Sequence, residues 1–109
     1  MAQFDVHRNK GTLRESIPFV VLVQSAQFDA YRRCVVVPLV RRSMLPIHTP
    51  TVGRRMNPKF HVDGVDVVLH PLDMVSVSVD QLGVHIGSLA EHGQSIADAL
   101  DELLTRSWG

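Results

Sequence analysis

Apolar residues alternate with polar ones, or run together in short β-branched stretches, over the first three quarters of the chain, and their spacing turns helical only near the end. In "QFDVHR" the alternation puts Phe4 and Val6 on one face. The runs "IPFVVLVQS" and "RCVVVPLV" are of the kind buried on both faces, and Pro38 in the second lacks a ladder donor, which predicts an edge or a bulge there. In "KFHVDGVDVVLH" the pair Asp63-Gly64 supplies the positive φ angles of a tight turn between two alternating strands. "DMVSVSV" then sets Val75, Val77 and Val79 on one face and Ser76 and Ser78 on the other. Five or six short strands in about 85 residues imply a small, strongly bent antiparallel sheet or partly open barrel.

Residues 42–58 carry Pro46, Pro50, Gly53 and Pro58 among mixed polar side chains and are expected to form a long loop. From Ser88 the pattern is helical. "SLAE" matches a capping box for a short turn ended by Gly93, and "SIAD" at 95–98 is expected to open a second helix in the same way. In that helix Ile96, Ala99, Leu100, Leu103 and Leu104 form one apolar stripe, with Asp98, Asp101 and Glu102 off it. A helix continued to Trp108 would point the indole about 110° away from the centre of that stripe. The indole is then either folded back as a plug in this subunit or its dimer mate, or held out as an anchor for a partner, since Trp is the side chain most enriched at interface hot spots.

With 109 residues, 45% of them hydrophobic, the chain is expected to form a single domain, residues 1–109, around one core. Its longest apolar stretch, "FVVLV", is far short of a membrane span, and the N-terminus lacks the build of a signal peptide, so a cytoplasmic protein with no membrane partner is expected. The single cysteine, Cys34, lies in an apolar run and is expected to be a buried structural residue. Formal neutrality conceals two opposed segments. Residues 1–60 hold ten of the eleven basic side chains and three acids, whereas residues 61–109 hold one base and eight acids. The doublets Arg32-Arg33, Arg41-Arg42 and Arg54-Arg55 could face an acidic partner or be solvated strand ends offset by the acidic helix. Aromatic residues are too few around them for a single-strand stacking surface, and sequence-specific nucleic-acid binding is not expected.

Six histidines invite a metal or catalytic reading, but His61-Val62-Asp63 lacks a third ligand at a predictable position, and His7, His48, His70, His85 and His92 are scattered. No metal site is therefore expected. Phosphate-binding glycine loops and the Gly-x-Ser-x-Gly elbow are missing, and Ser25, His61 and Asp63 have the residue types of a triad without an ordering motif. The expectation is a protein that binds rather than one that catalyses.

Several stretches together resemble the CcdB family of bacterial toxin-antitoxin toxins: "QFDV", "VQSAQFDAYRRCVVVPL" at 23–39, "RRMNPKFHVDG" at 54–64, and a helix finishing in Trp-Gly. The resemblance implies a mainly β fold, an SH3-like, partly open antiparallel barrel with a C-terminal α-helix, forming a homodimer without a cofactor. It further implies a toxin that binds the DNA gyrase A subunit and traps the gyrase-DNA cleavage complex. Carried onto this sequence, the gyrase-binding residues would be Trp108, Gly109, Leu104, Asp101, Gln27 and Phe28. An acidic antitoxin would be received by Arg32, Arg33, Arg41 and Arg42. The sequence departs from the family pattern in ending at Gly109 without a terminal isoleucine, in the inserted "TRS" before the tryptophan, in Gln27 and Phe28 standing where the family has two isoleucines, and in Asp101 standing for an asparagine. Two alternatives accompany this reading. One is a ribonuclease of the same barrel superfamily, with Arg32 or Arg33 beside His61, and the other is a non-toxic dimer that only binds antitoxin.

Overall fold

The computed structural model describes residues 2–25, 31–45 and 52–105. Seven strands and one helix follow in chain order: β1 (Asp5–Asn9), β2 (Phe19–Leu22), β3 (Arg33–Arg41), β4 (Lys59–Val62), β5 (Val65–Leu69), β6 (Val75–Ser78), β7 (Leu82–Ser88) and α1 (Gly93–Leu104). All are joined in one curled antiparallel sheet of order β4-β5-β3-β2-β1-β7, with β6 paired to the first half of β3. This is the expected mainly β half-barrel with a C-terminal helix.

The nine-residue β3 organises the sheet. Its neighbour on one side is β2, while on the other side Arg33–Val36 pair with β6 and Leu39–Arg41 pair with β5. Pro38 falls where that second neighbour changes. A strand residue presents its N–H and C=O to the same side; the Pro38 carbonyl accepts the His70 N–H at 3.0 Å on the β5/β6 side, so the missing donor faces the break between two partners. The proline expected at an edge or bulge is instead central, and costs no ladder bond.

The β-branched runs are buried on both faces, as their composition implies. Phe19, Val21, Val37 and Leu39 join Val6, Val67 and Leu69 in the main core, which Ile96 and Ala99 of α1 close. Leu22, Cys34 and Val36 point the other way, into a smaller cluster with Val20, Val77, Val79 and Leu82. Burial pushes the Cys34 thiol pKa above its ordinary value, against the opposing pull of Arg33.

The helix starts earlier than its capping pattern indicates. A short 3₁₀ turn at Ala90–His92 runs directly into α1 at Gly93, so Gly93 opens the helix and Ser95 lies inside it. Ser88 does cap the turn, its hydroxyl accepting the Ala90 N–H at 3.0 Å. Packing explains the shift: a Cβ at Gly93 would meet the Phe4 ring at 2.7 Å, so the helix entrance sits against that aromatic side chain. Strand β7, "LGVHIGS", is not among the strands that the alternation predicts. It reads weakly because of its two glycines, yet Gly83 is required, since a Cβ there would lie 2.5 Å from the Arg8 carbonyl oxygen.

Within the expected loop of residues 42–58, a 3₁₀ turn occupies Arg42–Met44 and Val52 bridges to Asn57, whose buried side-chain amide donates to the Leu69 carbonyl at 3.0 Å. No helix among the described residues is long and apolar enough to cross a membrane.

Candidate functional site

The two ends of β3 carry the arginine doublets, and the sheet makes their surroundings different. At its start, Arg33 is laced across to β6, its Nε and Nη2 donating to the Ser76 hydroxyl at 3.0 Å and the Ser76 carbonyl at 2.7 Å. At its end, Arg41 Nε donates to the Glu15 carbonyl at 2.9 Å, and Arg42 opens the 3₁₀ turn. An extended strand places these doublets about 26 Å apart along the chain. His61 lies beyond β5 at the second end, so Arg32 and Arg33 are not its neighbours.

The hairpin supplies that neighbourhood. Asp63 (φ 49°) and Gly64 (φ 80°) make the two-residue turn, which sets Val62 against Val65 and therefore His61 directly against Asp66. The ring nitrogen Nδ1 of His61 lies 2.7 Å from Oδ1 of Asp66. Asp63, the sequence neighbour considered with His61, is instead bound to Arg8 at 2.8 Å, a contact that ties the hairpin to β1. The triad types Ser25, His61 and Asp63 are thus not assembled as such, because Asp63 serves the turn and Asp66 takes its place. Lys59, two residues before His61, shares its face of β4. The β3 register, Arg41 against Val67, carries Arg42 towards Asp66 from the other side. Arg42, Lys59, His61 and Asp66 line one open cleft of about 410 Å³. A second cleft adjoins it, with Arg41, Arg42 and Asp66 in its wall.

The sequence sets His61 with Arg32 or Arg33 and gives Arg42 only to the antitoxin, and it does not single out Asp66 and Lys59; the structure instead brings Arg42, Lys59 and Asp66 to His61. A signal existed, since an Asp-Gly turn at 63–64 dictates that residues 61 and 66 pair.

Of the residues expected at a gyrase contact, Trp108, Gly109, Gln27 and Phe28 lie outside the described residues. Leu104 and Asp101 are on α1. Along the apolar stripe Ile96 and Ala99 are fully buried, Leu100 packs on the core partly buried, and Leu104 is 61% exposed, so the helix end leaves the barrel. Asp101 sits on another face, where it shares Arg55 with Asp98 and Glu102 at 3.5, 3.7 and 3.6 Å and also receives the Thr105 hydroxyl. One arginine of the basic segment thereby braces the acidic helix. Among the described residues no three His, Cys, Asp or Glu side chains group as a metal cage.

Comparison with known proteins places this geometry. No curated protein sequence matches the chain. Among solved structures it is similar to the Mycobacterium tuberculosis toxin MazF-mt6, at 16% identity and a TM-score of 0.67 over 90% of this chain and 93% of that one. It is also similar to an endoribonuclease in complex with its cognate antitoxin from Mycobacterial species, at 17% identity and a TM-score of 0.70 over 100% and 99% of the two chains. A further endoribonuclease from Mycobacterial species matches at 16% identity and 0.68, over 100% and 95%. At these identities the likeness concerns the fold.

The likeness nevertheless corrects the expectation that the chain binds without catalysing, because the same barrel carries endoribonuclease activity in those proteins. The physical reason the expectation failed is that it required a motif of fixed sequence spacing, whereas this sheet assembles its candidate groups from β4, β5 and the end of β3. The sequence model of the CcdB protein family matches residues 3–106, nearly the whole chain, and the chain belongs to the CcdB family of toxin-antitoxin toxins.

Proposed function

We propose that this toxin acts as a homodimer that binds the DNA gyrase A subunit through the end of its C-terminal helix and holds gyrase on cleaved DNA. Membership of the family supports the reading, and one observation carries it: the stripe of α1 that is fully buried at Ile96 and Ala99 emerges at Leu104 as an exposed apolar side chain. An apolar residue on a helix anchored this firmly is a preformed contact, with little ordering left to do on binding. Trp108 and Gly109 follow it in sequence and are the proposed tip. The test is a DNA cleavage assay with gyrase of the host. Gyrase-linked broken DNA with the wild type, and its loss with Trp108→Ala, is the expected result; no broken DNA with the wild type sinks the reading.

The cognate antitoxin is proposed to be acidic and to engage the ends of β3, which carry Arg32, Arg33, Arg41 and Arg42. A structural relative is itself in complex with its antitoxin.

A second reading, a ribonuclease toxin, is favoured by the His61–Asp66 pair lying in a cleft with Arg42 and Lys59, on a barrel shared with endoribonucleases. Cleavage of single-stranded RNA by the purified protein tests it.

A further inference from the structure

The cross-strand pair of His61 and Asp66 does more than join two strands. Both side chains are largely exposed, and an exposed pair of this kind adds little to stability. Its chemistry is better defined than its energy. A carboxylate offers no proton, so the 2.7 Å contact makes Nδ1 of His61 the donor and leaves the lone pair on Nε2. The histidine is thereby held by Asp66 in one orientation and one tautomer, with a base directed away from its partner.

Its surroundings select the ligand. The two adjoining clefts bring Arg41, Arg42 and Lys59 around a single carboxylate, which is already engaged by the histidine. Among the described residues neither Arg42 nor Lys59 has a carboxylate partner. An excess of cations beside an oriented imidazole suits an anion that must lose a proton. A phosphodiester flanked by a ribose 2′-hydroxyl has both properties, and a deoxyribose backbone has only the first.

We propose that this cleft is a catalytic site for single-stranded RNA, in which His61 is the general base, Asp66 positions it, and Arg42 and Lys59 hold the phosphate. The inference rests on the ribonuclease reading above and assigns its residues. Nε2 of His61 takes the proton of the 2′-hydroxyl as the 2′-oxygen bonds to phosphorus. The bond from phosphorus to the 5′-oxygen breaks, leaving a 2′,3′-cyclic phosphate on one fragment. The departing 5′-oxygen takes a proton from water, and the hydroxide so formed recovers the proton held by His61. Nothing is oxidised or reduced. Arg42 and Lys59 offset the charge that builds on the phosphoryl oxygens during the displacement.

The assay uses full-length protein freed of antitoxin and a random-sequence single-stranded RNA pool, beside a pool of the same sequences in 2′-deoxy form. Wild type should release fragments ending in cyclic phosphate from the RNA and none from the deoxy pool. His61→Ala should lower the rate about 10²- to 10⁴-fold, the usual contribution of a general base. Arg42→Ala should act chiefly by raising KM, and Asp66→Asn by lowering kcat. His85→Ala, at an exposed histidine of β7 outside both clefts, should cut as wild type does and controls for the loss of any one histidine, while loss of cutting in His61→Ala prepared in the same way excludes a copurifying nuclease. His61 is exposed, so its substitution should leave the melting temperature unchanged. If wild type cuts no RNA, the ribonuclease reading falls and this site with it. If His61→Ala cuts as fast as wild type, the reading stands and the site assignment is wrong. Cutting of the deoxy pool overturns the chemistry.

Discussion

At the scale of single residues, the positions with least freedom are those where a side chain or backbone already fills the space. Gly83→Ala would drive a methyl against the Arg8 carbonyl oxygen, which belongs to the β1 ladder and cannot step aside. Gly93→Ala meets the Phe4 ring, which can turn. Both should destabilise by about 1–3 kcal/mol, the ordinary range for overpacking, with Gly83→Ala the worse of the two in urea unfolding. Cys34 gives a pH prediction. Its folded-state pKa is raised by burial, so the neutral thiol is the form the fold favours; that stability is fully present below the thiol's ordinary titration, about pH 8.5, and is lost as pH climbs through the folded value. Stability should therefore decline above about pH 8.5, and Cys34→Ser should flatten that decline. Alkylation of native protein should be slow, and it should speed up once denaturant opens the smaller core. Buried Cys34 was legible in its apolar run, whereas the need for glycine at 83 was not, because it arises from a strand more than 70 residues away.

Among the elements, strands declared themselves where a single rule governed them and stayed hidden where a neighbour did. The Asp63-Gly64 hairpin is local, and its turn, its register and the meeting of His61 with Asp66 all follow from two residues. Pro38 misled because the break that accommodates it belongs to β5 and β6. The start of α1 differs from the serine-based cap pattern because the Phe4 ring, distant in sequence, fixes the helix entrance. The helix also yields an electrostatic prediction. Asp98, Asp101 and Glu102 share Arg55 at 3.5 to 3.7 Å, all about half exposed. Removing the arginine leaves three like charges at helical spacing, so Arg55→Ala should cost up to about 1 kcal/mol at low salt and less at high salt. A circular-dichroism melt at two ionic strengths reads both effects.

The whole molecule explains why composition alone says little about activity. Equal numbers of acids and bases conceal a fold in which Arg55 braces an acidic helix while Arg32, Arg33, Arg41 and Arg42 lie at the two ends of one strand. The mainly β class, the curl and the helix were readable from periodicity, but the neighbourhood of His61 was not, since Arg42 reaches it only through the β3–β5 pairing of segments far apart in the chain. Arg41 and Arg42 also belong to the proposed antitoxin surface. An antitoxin laid over them should therefore suppress RNA cleavage by covering the cleft, and titrating antitoxin into the RNA assay should abolish cutting at one antitoxin site per cleft.

The pairing of β1 with β7 joins Asp5–Asn9 to Leu82–Ser88, across all the other strands in sequence. A nascent toxin therefore carries β1 with one flank open until β7 has been made, and loop closure over that distance is slow compared with helix or hairpin formation. A message broken before the codons of β7 yields a chain whose β1 never gains its second neighbour, so the closed sheet comes into being only after β7 has been made.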